Sequence, residues 1–205
     1  YPDHVGRVNS VNVNCFQGEV SYNQGVLTFG GDVTLTTVGV ADFGTVPLVE
    51  ALSEKNLRLV ANGKVMSRTK SNGFDGAKEI VRGEYDLTNT DAGNQSKGIL
   101  GATNDKTTIA SDTRITLKGF QTGIGWGSVQ IDGKVKITNA ECGIANSTTM
   151  NPGSELEIHA QQYIGEHGYL TYNGGHLLLN VTTVAGDFGL SRLGIGEDVS
   201  KFWYR

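Results

Sequence analysis

Glu84 and Asp86 flank Tyr85, so in a strand of period two their carboxylates share one face, with Glu79 and Asp91 near and Arg82 on the same alternating face. Two carboxylates on one strand face could hold calcium or act as an acid–base pair on a glycan. The plainer alternative is a solvated strand face beside a polar loop. Calcium is the only cofactor suggested. A second set is aromatic: Trp126, Tyr169 and Tyr172 are expected at turns or on the outward face of the chain's repeats. Exposed aromatic rings stack on sugars because they combine an apolar face with a polar edge. The competing expectation is that they pack on neighbouring loops or subunits. These five residues are the binding candidates, and no residue is assigned a catalytic or metal-ligating role.

Other motifs carry less. The four histidines, His4, His159, His167 and His176, lack metal-ligand spacing, and His176 is expected to stack over Glu155 as an exposed pair. Gly123-Ile124-Gly125-Trp126-Gly127 has the glycines of a nucleotide loop, but no helical pattern follows it. Asn94, Asn146 and Asn180 open N-x-Ser/Thr sequons, relevant only in a eukaryotic secretory setting. Cys15 and Cys142 lie about five repeats apart, about 24 Å if each repeat rises about 4.8 Å. That is too far for a disulfide, so two unpaired, mostly buried thiols are expected.

The elements that position these residues are repeats. Lys134-Val135-Lys136-Ile137, Glu155-Leu156-Glu157-Ile158 and His176-Leu177-Leu178-Leu179 follow one another at 21 residues. Arg114-Ile115-Thr116-Leu117 precedes them by 20. A fixed period of this size predicts a solenoid in which each coil stacks on the next. Alternation within the quartets predicts strands with one buried face. Val135, Ile137, Leu156, Ile158, Leu177 and Leu179 then point inward, and outside Lys134 meets Glu155 and Lys136 meets Glu157.

Composition fits that picture. The chain has 205 residues with 29 glycines and 3 prolines, suited to many tight turns between short strands. Net charge is −4 with both signs dispersed. No basic patch with interleaved aromatics suggests nucleic acid, and no apolar run suggests membrane insertion. The chain begins at Tyr1 without an initiator Met, as expected of a processed product or an excised fragment.

Residues 1–205 read as a single β-helix domain, with N-terminal coils over 8–60, a loop-bearing middle over 61–112, regular coils over 113–186 and a C-terminal cap over 187–205. In the first part Val11/Val13, Val20/Tyr22, Leu27/Phe29 and Val33/Leu35 alternate with polar residues. Val33/Leu35 is expected to stack on Leu57/Leu59, 24 residues on. One short helix is expected from Thr45-Val46-Pro47 through Lys55, with Leu48, Val49 and Leu52 on one face. Arg68–Gly76 and Asp86–Gly98 read as loops bulging from the coil. The tail carries Phe188, Leu190, Leu193, Ile195, Val199, Phe202, Trp203 and Tyr204, an apolar set expected to cap the solenoid or to dock on another subunit.

Coils of 20–24 residues, with Asn104-Asp105-Lys106-Thr107-Thr108-Ile109 leading into Arg114-Ile115-Thr116-Leu117-Lys118-Gly119, resemble the right-handed parallel β-helix superfamily of pectate lyases, phage tailspikes and bacterial surface adhesins. The likeness covers residues 98–186 well and 8–60 loosely. It implies an all-β, right-handed parallel β-helix of about eight coils with one short helix and a capping tail. By the same resemblance, lyases use calcium-binding carboxylate clusters with an Arg or Lys base; Arg82 sits near Glu84, but no Asp-x-Asp cluster accompanies it. Binding therefore ranks ahead of catalysis. The expected role is a surface- or virion-associated module of the tail-fibre, tailspike or adhesin kind, outside the cell, recognising a glycan or receptor and assembling as a homo-oligomer, a trimer by analogy with tailspikes. The alternatives are a polysaccharide lyase or glycoside hydrolase, and a purely structural filament or capsid-decorating subunit.

Overall fold

A computed structural model describes residues 6–8, 11–13, 16–36, 47–51, 55–91, 95–102, 105–165, 168–182, 193–195 and 202–204. The described residues form a β-solenoid of about six turns and contain no helix. They build a 15-stranded and a 9-stranded sheet.

Each turn visits three columns of strands. The first column runs Val33–Thr36, Lys64–Thr69, Gly83–Asn89 and Thr113–Lys118, then through the leading parts of Lys134–Ile144 and Glu155–Ile164 to His176–Val181 and Phe202–Tyr204. The second runs Val49–Ala51, Phe74–Asp75, Lys97–Leu100 and Thr122–Gly125, and ends on the trailing parts of the two long strands. The third is the 9-stranded sheet, where Val26–Phe29, Arg58–Ala61, Glu79–Val81, Lys106–Ile109, Ser128–Ile131, Ser147–Met150, Tyr169–Tyr172 and Leu193–Ile195 pair in parallel.

Period-two alternation turns one face of every column inward. Ile115, Val135, Leu156 and Leu177 form one interior file, and Leu117, Ile137, Ile158 and Leu179 the next; all eight are buried. Outside, the expected register holds: Lys134 Nζ lies 2.9 Å from Glu155 and Lys136 Nζ 3.5 Å from Glu157. Both ion pairs are exposed and add little stability. They mark the register that the buried files fix.

The N-terminal region departs from the sequence reading. Val33 pairs with Val65, and it is Leu27 that stacks on Leu59. The hairpin Val20–Asn23 with Val26–Phe29 is antiparallel, as are the pairings of Phe16–Gln17 with Val33–Thr36 and of Val11–Val13 with Val49–Ala51. Val11–Val13, Phe16–Gln17 and Val20–Asn23 are thus antiparallel partners and not stacked coils, whereas Val26–Phe29 and Val33–Thr36 do stack in parallel on the next turn, and about six turns replace the expected eight. The helix expected through Lys55 is corrected too. Val49–Ala51 is a strand, because its ladders to Phe74–Asp75 and to Val11–Val13 satisfy the backbone that a helix would pair internally.

The two expected middle loops are shorter than their sequence ranges. Strand continues through Asn89 and resumes at Lys97, leaving only the residues between them as connection. Phe74–Asp75 likewise pairs within 68–76. Cys142 is a free, half-buried thiol whose Sγ donates to the Ile144 carbonyl at 3.2 Å, and burial pushes its pKa up to about 11. Cys15, His4, His167, Asn94, Phe188, Leu190 and Val199 lie outside the described residues. In the tail, Leu193–Ile195 and Phe202–Tyr204 add parallel strands to the last turn.

Candidate functional site

Trp126 sits at the corner between the second and third columns, where Thr122–Gly125 ends and Ser128–Ile131 begins. The corner is tight. Trp126 has φ 51° and Gly127 φ 68°, and a Cβ at Gly127 would lie 2.9 Å from the Gly101 backbone of the preceding turn. A bulky residue in the left-handed region is costly and persists only where its surroundings hold it. Here the Trp126 carbonyl accepts from the Gly101 N–H at 2.9 Å and from Asn146 Nδ2 at 3.1 Å, so the turns before and after both fix it. The backbone is anchored while the indole stays 68% exposed.

One neighbour shapes that indole. Lys97 Nζ stands 5.8 Å from the ring centroid, a cation–π contact worth about 0.5–1 kcal/mol at an exposed site. The Lys97 stem reaches it by crossing Gly125, where an added Cβ would meet Lys97 Cδ at 2.6 Å. Gly125 is therefore part of the site through the side chain it lacks.

Beside the indole opens a cavity of about 730 Å³ lined by Asp75, Leu100, Asp105, Lys106, Trp126 and Ser128, among others. Its two carboxylates differ in setting. Burial, helped by the negative charge of Glu50, raises the Asp75 carboxyl above the usual carboxylate range. The Asp105 carboxyl is held low by the Lys106 backbone N–H and by Lys78, whose Nζ lies 3.1 Å away. Lys106 Nζ donates to Gln130 Oε1 at 2.7 Å. The cavity thus offers an aromatic wall, a half-buried carboxyl at Asp75, and charged groups already held in place. Such an arrangement suits a hydroxyl-rich ligand with one apolar face.

Of the five binding candidates read from the sequence, only Trp126 lines this cavity. Tyr169 is 45% exposed and shares a register file with Ser147 and Ser128, two rungs or roughly 10 Å from the cavity wall at Ser128. Tyr172, expected on the outside, is instead fully buried, and its hydroxyl donates to the Gly175 carbonyl at 2.8 Å. It stands three positions after Tyr169 in the strand, an odd step that turns it to the opposite face. Glu84 and Asp86 lie on the outer face of the first column, with Asp86 3.1 Å from Lys64 Nζ and Glu84 in register between Lys64 and Arg114. Arg82 leaves that face. It occupies a corner with φ 53°, and its guanidinium donates to Asn62 Oδ1 at 2.7 Å. Among the described residues no three His, Cys, Asp or Glu side chains gather as a metal-binding group.

Asp75, Lys97, Asp105 and Lys106 are the site residues that sequence reasoning did not single out. For Lys97 and Asp75 the signal is a register one: aligning Gly98-Ile99-Leu100-Gly101 with Gly123-Ile124-Gly125-Trp126 places Lys97 over Thr122 and Leu100 over Gly125, next to Asp75. His159 forms a separate cluster on the first column, with Nε2 against Glu157 and Nδ1 3.3 Å from Asn180 Nδ2. Asn146, the first residue of a sequon, is buried and committed to the Trp126 carbonyl. Comparison of the chain with protein-family models, curated proteins and solved structures finds no match.

Proposed function

We propose that this chain is a glycan-binding module of the surface- or virion-associated kind, a β-solenoid that presents Trp126 as a stacking platform beside a polar cavity. The observation that carries the reading is the combination of a 68% exposed indole with a backbone anchored from two neighbouring turns. A large apolar ring left in water costs free energy that a ligand recovers on covering it. The anchored corner means that little order must be gained on binding. A glycan array probed with the wild-type chain and with Trp126→Ala tests the reading. Binding that the substitution removes supports it, and an array silent for both proteins refutes it.

Polysaccharide cleavage is the second reading, favoured by one observation: Asp75 and Asp105 line the same cavity with carboxyl affinities pushed in opposite directions. A glycosidase separates its acid from its base in this way. Product analysis of any bound oligosaccharide distinguishes the readings, since turnover that Asp75→Asn abolishes would make the site catalytic. Calcium at Glu84 and Asp86, and trimeric assembly through the C-terminal tail, belong to the same proposal and are tested by calcium titration and light scattering.

A further inference from the structure

A second cavity, of about 440 Å³, shares part of its wall with the first. Arg58, Lys78, Glu79 and Thr108 are among its walls, and it shares Asp105 and Lys106 with the cavity beside Trp126. Val26, Arg58, Glu79 and Thr108 stand on successive rungs of the third column, and Lys106 pairs with Ser128 on the next. The two cavities together therefore follow five rungs, a length of about 19 Å at about 4.8 Å per rung. Asp105, in an exposed ion pair 3.1 Å from Lys78 Nζ, and Lys106 are the residues that line both.

The charges along this path balance, Arg58, Lys78 and Lys106 against Asp75, Glu79 and Asp105, and two of the three cations are paired with carboxylates. Arg58 Nε lies 3.2 Å from Glu79, Lys78 Nζ 3.1 Å from Asp105, and Lys106 Nζ 2.7 Å from Gln130 Oε1. An acidic polymer would have to compete with Glu79 and Asp105 for Arg58 and Lys78 and would meet the repulsion of the lining carboxylates. Matched pairs do offer fixed donors and acceptors to hydroxyl groups. We propose that the two cavities form one cleft along the solenoid axis and that its ligand is a linear, uncharged glycan, with one sugar on Trp126 and later sugars crossing the Lys78–Asp105 pair. The inference rests on the glycan-binding reading above and adds the ligand's length and charge.

The test is calorimetric titration of the full chain with neutral β-linked oligosaccharides of glucose, galactose, mannose and N-acetylglucosamine, from disaccharide to hexasaccharide, and with a matching uronate series. Affinity for a neutral series should climb with length, by about tenfold or more from the shortest to the longest member. Trp126→Ala should weaken every length. Lys78→Met removes an exposed ion pair of little worth to folding. It should weaken only the longer oligosaccharides, by about tenfold, the equivalent of one charged hydrogen bond. A flat length profile, or a Lys78→Met loss equal at all lengths, would overturn the continuous cleft while leaving glycan binding intact. Preference for the uronates would overturn the neutral ligand. Binding of no member would overturn both the cleft and the glycan reading.

Discussion

Leu156→Ala measures what the stacked interior is worth. Leu156 is fully buried, with Val135 on the rung before it and Leu177 on the rung after, both buried. The substitution removes three carbon groups, about 2.4 kcal/mol of transfer free energy at about 0.8 kcal/mol each. Backbone ladders on both sides hold the rungs about 4.8 Å apart, so the file cannot close over the gap. A residual cavity of about 40 Å³ at about 24 cal/mol per Å³ adds about 1 kcal/mol. The total is about 3.4 kcal/mol, or a fall of about 1.7 M in the urea midpoint if m is about 2 kcal/mol per M. Leu178→Ala is the control: it follows Leu177 on the next rung, turned outward and only partly buried, and should cost about 1 kcal/mol or less. Leu156→Asp, which places an unpaired charge in the same file, should prevent folding altogether. Equal losses for the two leucines, or a soluble native-like Leu156→Asp protein, would refute the inward assignment.

Three further outcomes are expected. Ser67 faces inward between Leu35 and Leu87, and its hydroxyl has no hydrogen-bond partner among the described residues. Ser67→Ala should therefore stabilise the fold by about 1 kcal/mol, seen as a rise in Tm; a fall would show that the hydroxyl is paired. Burial works to raise the Glu157 carboxyl, but the His159 hydrogen bond and Lys136 together hold it below its ordinary value of 4.5. A depressed folded-state value stabilises above that ordinary value, and the gain is lost as pH falls through the folded one. Glu157→Gln should accordingly lag the wild type near neutrality and match it in strong acid, and a gap that is constant across the acid range would contradict this. Light scattering should report a trimer at micromolar concentration, and a clean monomer would end that proposal.

The regular coils were legible because their period is nearly constant. One 21-residue step fixed both Lys134 against Glu155 and Leu156 under Val135. The N-terminal region misled because alternation alone does not distinguish a stacked coil from an antiparallel hairpin, and Val20–Asn23 with Val26–Phe29 is the latter. The helix expected after Pro47 lost to sheet pairing, which reached Val49 from two sides. At the site, Trp126 was readable from its flanking glycines, which demand a tight corner. The three-residue spacing of Tyr169 and Tyr172 already placed them on opposite faces, so one of the two had to turn inward. Asp75 meets the adjacent pair Asp105 and Lys106 from the preceding turn, across connections of unequal length. No local pattern in the sequence marks that meeting.

The central claim is that the Trp126 corner binds sugar, and the most direct measurement is indole fluorescence of the intact chain titrated with the oligosaccharide that gives the strongest array signal. Because the second tryptophan, Trp203, lies four rungs beyond Thr113–Lys118, the first-column strand of the Trp126 turn, the titration is run in parallel on Trp126→Phe and Trp203→Phe. The account predicts a saturable change that persists in Trp203→Phe and vanishes in Trp126→Phe, with the far-ultraviolet circular dichroism of both variants unchanged. Saturable binding that leaves the Trp126 signal untouched would contradict it.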